Sequence, residues 1–187
     1  MEDPESFSIL VESISIVRDM LSYREVSGIV TDRRSNRPET RYKLKATPSS
    51  GRLFIGSYWI TDDDGNVESY TPDTGYTDRF GNDARRRVTR IARLAYPWEM
   101  PIWGTHKAEW KPVDGYRKSA TEIALVFDDT EDKGFRAEMT FDTAIRCVRS
   151  FSAFIPGRPE TISLTQFVHI DRPAGPTPGL IDSAVVM

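Results

Sequence analysis

Residues 122–141 read EIALVFDDTEDKGFRAEMTF, and their alternation decides the fold class. Ile123, Leu125 and Phe127 alternate with Glu122, Ala124 and Val126, then Asp128 to Gly134 forms a polar break. Phe135, Ala137, Met139 and Phe141 then alternate with Arg136, Glu138 and Thr140. A period of two on both sides of a turn is a hairpin with one apolar and one solvated face. Such a face has to be covered, so the hairpin predicts a larger sheet and a core against it.

The same period recurs on both sides. From Val26 onward the pattern is strand-like; Tyr42, Leu44 and Ala46 face one way while Arg41, Lys43 and Lys45 face the other. The stretch from Arg52 to Thr61 is apolar on both faces, with Leu53, Ile55 and Trp59 opposing Phe54, Tyr58 and Ile60, as in a central strand. Asp64-Gly65, within Asp62 to Asn66, turns the chain into a strand at Val67 to Tyr70. A last strand runs from about Ile162 to Ile170 with Leu164 and Val168 toward the core. Residues 142–151 suit both periods, since Phe141, Ile145, Val148 and Phe151 fit a helix while Phe141, Thr143, Ile145 and Cys147 fit a strand.

Helices flank the strands. Asp3-Pro4-Glu5 supplies a cap, a first-turn proline and an acid at the positive end of the helix dipole. Phe7, Leu10, Val11, Ile14, Val17 and Leu21 then form one apolar stripe that has to pack on something. Asn82 or Asp83 can cap a second helix carrying Ala84, Val88, Ile91, Ala92 and Ala95, with Arg85, Arg86, Arg87, Arg90 and Arg93 on and around it. The fold expected is mainly β within the α+β class: an antiparallel β-barrel or strongly curved meander sheet, an N-terminal capping helix and one or two short helices. Residues 1–172 read as a single barrel-like domain. Residues 173–187, with Pro173, Gly175, Pro176, Pro178 and Gly179, read as an extended tail.

Composition bounds the function. The 187 residues are 39% hydrophobic and 28% charged, ordinary for a globular chain with one sizeable core. A net charge of -3 gives no global field toward nucleic acid or anionic membrane. Cys147 is the sole cysteine, which excludes a disulfide or a thiolate metal cage within one chain and fits a reducing compartment. The acidic start and the lack of a roughly 20-residue apolar run give no signal peptide and no membrane helix, so a cytoplasmic location is expected.

The chemistry-bearing stretch is Tyr96 to Trp110, which holds three of the four tryptophans together with Pro97, Met100, Pro101 and His106. As a strand, Gly104 to Trp110 would set His106 with Trp110 on the inward side, where the imidazole can act as acid or base. Glu99 reaches it if the loop folds back. Trp98, Trp103, Trp110 and Tyr42 would line an apolar site, with Gln166 and the Tyr58 hydroxyl as polar groups inside it. The plainer reading is core packing with its polar groups satisfied. The arginine run reads as a solvated, salt-bridged helix more readily than as a phosphate or RNA grip. Asp62, Asp64 and Asn66 fail as a calcium loop, because the glycine comes early and the closing glutamate is missing. No phosphate loop, dinucleotide fingerprint, nucleophile elbow or zinc motif occurs, and no cofactor or metal is expected.

The leading expectation is therefore a small-molecule-binding β-barrel, a cofactor-free cyclase or isomerase, with His106, Tyr58 and Glu99 as catalytic candidates and an apolar or aromatic intermediate as substrate. The alternative is a protein-interaction domain, such as an inhibitor, immunity or assembly factor, using the tryptophan loop and the arginine helix. Partners admitted are an apolar small molecule or a protein, a second copy included. Nucleic acid ranks last and membrane is not expected.

Overall fold

A computed structural model of the chain describes residues 3–20, 25–35, 37–47, 57–65, 67–71, 75–77, 89–100, 110–129, 134–154, 156–157 and 159–171. Helix α1 (Pro4–Met20) precedes β1 (Glu25–Arg34), β2 (Arg37–Thr47), β3 (Ser57–Asp62), β4 (Val67–Thr71) and β5 (Gly75–Thr77). After the connection come β6 (Trp110–Arg117), β7 (Glu122–Asp129), β8 (Arg136–Asp142), β9 (Cys147–Phe154) and β10 (Glu160–Asp171). All pairings are antiparallel, and the sheet order is β5-β4-β3-β2-β1-β10-β9-β8-β7-β6.

That order is two meanders of five strands, one running outward from β1 and one running inward to β10. Their seam is the β1–β10 pair, from Glu25 opposite Asp171 to Arg34 opposite Glu160, with register shifts after Ser27 and Ile29 that bend and twist the strands. The sheet is not closed: β5 and β6 are its two edges. It is therefore the curved meander, and not the barrel, that the chain adopts. The hairpin at 122–141 sits in β7 and β8, with Ile123 opposite Phe141, Leu125 opposite Met139 and Phe127 opposite Ala137, all buried.

The passage between Phe141 and Cys147 is a turn. Asp142 Oδ1 accepts the N–H groups of Ala144 at 3.0 Å and Ile145 at 3.1 Å, and Arg146 takes the left-handed region at φ 54°. A carboxylate that satisfies two backbone donors offers the chain an alternative to a helix, and β9 starts immediately afterward.

Because β5 and β6 lie at opposite edges, the connection between them has to cross the sheet. Its described part, residues 89–100, buries Ile91, Ala92, Leu94, Ala95, Tyr96 and Met100 through 3-10 turns at Ala92–Leu94 and Pro97–Glu99. Of the helix expected from Asn82 or Asp83 to Ala95, residues 82–88 lie outside the described residues, and the described end is a 3-10 turn. This strap joins Val26, Val30, Leu44, Tyr58 and Ile60 of β1 to β3 in one apolar core with Ile9, Ile16 and Met20 of α1. Among the described residues, no helix is long and apolar enough to cross a membrane.

Candidate functional site

Helix α1 rests on β6, β7 and β9, and the contacts that seat it are small or polar. The Ser6 hydroxyl donates to Asp114 Oδ1 at 2.8 Å and accepts the Gly115 N–H at 3.3 Å. A Cβ on Gly115 would stand 3.0 Å from Ile9 Cγ2 and 3.1 Å from the Ser6 carbonyl oxygen, so the helix approaches β6 as closely as it does because position 115 has no side chain. Arg117 pairs with Glu12 at 3.3 Å. Near the other end, Arg146 pairs with Asp19 and donates to Ser15 Oγ at 2.7 Å.

These contacts fix which way the helix faces. Ser6, Ile9, Ser13, Ile16 and Met20 point into the core, with Ile9 1% and Ile16 0% exposed. Phe7, Val11 and Ile14, on the opposite side, are 60%, 52% and 48% exposed. Of the stripe that periodicity expects to pack, Phe7, Val11 and Ile14 thus point outward, Leu10 and Val17 are half-buried at its flank, and Leu21 lies outside the described residues. The reason is close packing: the small Ser6 lets the helix lie against Gly115, whereas Phe7 in its place would hold it away. Asp3, whose Oδ2 accepts the Ser6 N–H at 3.0 Å, is exposed at one end of α1, and Arg18 is exposed near the other.

Among the residues proposed from sequence for a pocket, those that the structure describes are engaged in the core. Tyr58 is buried, packs edge-on against Tyr96 at 6.2 Å between ring centroids, and its hydroxyl accepts the Thr89 N–H at 3.3 Å. Tyr96 packs edge-on against the half-buried Trp98 at 5.5 Å and donates to the Ser57 carbonyl at 2.9 Å. Trp110 begins β6 and, like Tyr42 on β2, is half-buried against the core. Glu99 ends a 3-10 turn and Gln166 lies on β10 opposite Ile29; only their backbones are described. Trp103 and His106 lie outside the described residues. Tyr58, Tyr96 and Trp98 are thus brought together, some distance in sequence from Tyr42 and Trp110, as a packed aromatic row.

Arg85, Arg86 and Arg87 lie outside the described residues, but Arg90 is tied to the sheet. Arg90 pairs with Asp32 at 3.4 Å and with Glu160, while Arg34 holds the other Asp32 oxygen at 3.0 Å. Burial pulls the Arg90 guanidinium below its usual range, partly offset by Asp32. Burial followed by the Asp32 charge raises the Tyr42 phenol. These ion pairs tie the strap to β1 and β10. The salt-bridged reading of the arginines holds for Arg90, whose described partners are the strand acids Asp32 and Glu160.

No protein-family model matches the chain, and no curated protein does. Two solved structures similar to it are MucB in complex with MucA(peri), 11% identical over 90% of this chain and 57% of that one, TM-score 0.47, and the Pseudomonas aeruginosa MucA/MucB complex, 11% identical over 89% and 58%, TM-score 0.47. The chain spans less than two thirds of the length of either.

Proposed function

We propose that this chain is a protein-interaction domain whose docking element is the outer face of α1. The observation that carries the reading is the exposed row Phe7, Val11 and Ile14, set opposite a face already fully used by the core. Side chains at i, i+4 and i+7 are the anchor spacing by which a helix lies in an apolar groove or against another helix. The three expose roughly 300 Å² of apolar surface, the size of the largest apolar patch on many monomers, a patch that is often functional. At about 25 cal/mol/Å² its burial is worth roughly 7 kcal/mol before the costs of association. The seat below is rigid, so the face is presented ready-made.

The small-molecule reading, with His106, Glu99 and Trp103, draws less support, because its described members Tyr58 and Trp98 are held by Tyr96 in a packed row. The test is a photo-crosslinking residue at Phe7, with Val67, also an exposed apolar residue, as control position. A discrete protein adduct at 7, absent at 67 and lost on adding Val11→Arg, is the expected result. Equal labelling at both positions, or adducts indifferent to Val11→Arg, would overturn the proposal.

A further inference from the structure

Resting on that reading, we infer that the occupant of the α1 face is a second copy of the same chain, paired helix to helix in antiparallel orientation. The distribution of groups along the helix carries the inference. The outward row ends in an exposed acid, Asp3, and an exposed base, Arg18, and the apolar residues lie between them. A two-fold axis passing between Leu10 and Val11 sets each Phe7 against the partner's Ile14, each Leu10 beside the partner's Val11, and each Arg18 beside the partner's Asp3. The surface is self-complementary about that axis, which is what an isologous contact requires. Antiparallel packing also places each helix's positive end near the other's negative end. Parallel packing would set Asp3 on Asp3 and Arg18 on Arg18. Among the described residues, the bases on other elements that pair with α1, Arg117 and Arg146, do so with Glu12 and Asp19 on the flanks of the helix and not with Asp3 at the end of the row.

The size of the contact sets its strength. A 17-residue helix is about 25 Å long, and two such helices in contact bury on the order of 600–800 Å² in total, below the ~1,000 Å² of a stable interface. The association is therefore weak and concentration-dependent.

Sedimentation velocity of the full chain, from low micromolar to about 1 mM, tests it. Wild type should pass from monomer to dimer across that range. Val11→Arg should weaken association at least tenfold. Arg18→Glu should weaken it about tenfold, by setting a second carboxylate beside Asp3 at both ends of the contact. Asp3→Lys combined with Arg18→Glu should recover most of the loss, which parallel pairing would not allow, and far-ultraviolet circular dichroism checks that the helix survives loss of the Asp3 cap. Self-association unchanged by Val11→Arg, or a double swap no better than Arg18→Glu, overturns the inference. So does a monomer at every concentration, and the crosslink at Phe7 then separates the two claims. An adduct with a different polypeptide leaves the docking face standing with another occupant, an adduct with residues 172–187 of the same chain makes the cover intramolecular, and no adduct removes the docking face itself.

Discussion

If α1 holds the fold through one side and offers the other, truncations on its two sides must differ sharply in cost. Ile16 is fully buried, and Ile→Ala at such a site removes transfer energy and leaves a cavity worth about 2–5 kcal/mol together. Phe7 is larger but keeps 60% of its surface in solvent, and Phe7→Ala replaces it with a better helix former, so its cost should stay within about 1 kcal/mol. With a urea slope of about 2–3 kcal/mol/M for a domain of this size, Ile16→Ala shifts the midpoint by about 1–2 M and Phe7→Ala by less than about 0.4 M. Equilibrium urea unfolding followed by tryptophan fluorescence measures both on the same scale. Phe7→Ala as costly as Ile16→Ala, or a nearly silent Ile16→Ala, would refute the assignment of the two faces.

Three further outcomes follow from the same contacts. Gly115→Ala should cost about 1–3 kcal/mol, because its Cβ meets Ile9 and the Ser6 backbone, and about 1 kcal/mol or more of that should vanish in an Ile9→Ala background; a double-mutant cycle in urea reads the coupling. Arg90→Leu should destabilise by about 2–3 kcal/mol, since Asp32 stays buried with Arg34 as its remaining described cation; thermal unfolding of Arg90→Leu beside Asp32→Asn/Arg90→Leu should show the second change recovering part of the loss. The Tyr116 hydroxyl donates to Glu138 at 2.7 Å, and that bond, reinforced by burial, lifts the phenol to about 12. A raised acid favours its protonated form in the folded protein, so this contribution is present below the ordinary value near 10 and is lost as pH rises through about 12. Alkaline titration of tyrosinate absorbance should therefore lose one late-titrating group in Tyr116→Phe, and superimposable curves would count against the bond.

For Glu138 the balance has the opposite sign. Burial would raise its carboxyl, but hydrogen bonds from Lys118 and Tyr116 outweigh that and lower it. Its contribution is therefore present above the ordinary carboxyl range and is lost as pH falls through the lowered value.

Most of the sheet was legible because a half-buried antiparallel strand writes its burial into alternate letters. The β7–β8 hairpin, the Arg41 to Ala46 alternation in β2 and the Asp-Gly turn after β3 all appear where the pattern put them. Openness was not legible, since whether the β5 and β6 edges meet depends on strand twist and on the connection between them, neither of which leaves a period in the sequence. Residues 142–151 were ambiguous because the helix and strand patterns share Phe141 and Ile145; the deciding group is Asp142, whose side chain captures two backbone donors.

The packing side of α1 was misread for a physical reason. Periodicity finds the more hydrophobic side of a helix, and on α1 that side is Phe7, Val11 and Ile14. The side that packs holds Ser6 and Ser13 among Ile9, Ile16 and Met20, and there the small Ser6 allows close approach to Gly115. A signal was present: Ile9, Ile16 and Met20 also recur at helical spacing, which makes the helix apolar on two sides, so the more hydrophobic side need not be the one that packs. Of the tryptophans in the sequence reading, Trp98 and Trp110 pack half-buried against the core, and Trp103 lies outside the described residues.

The most direct test of the docking face uses the chain's only cysteine. Cys147 is buried, so a cysteine placed at Val11 or Val67 is the one thiol open to reagent. Alkylation rates of Val11→Cys and Val67→Cys would be compared in dilute purified protein and in the native assembly at working concentration. The account predicts that Val11→Cys reacts freely when dilute and is slowed tenfold or more in the assembly, while Val67→Cys reacts alike in both. Equal rates for Val11→Cys under the two conditions would contradict it.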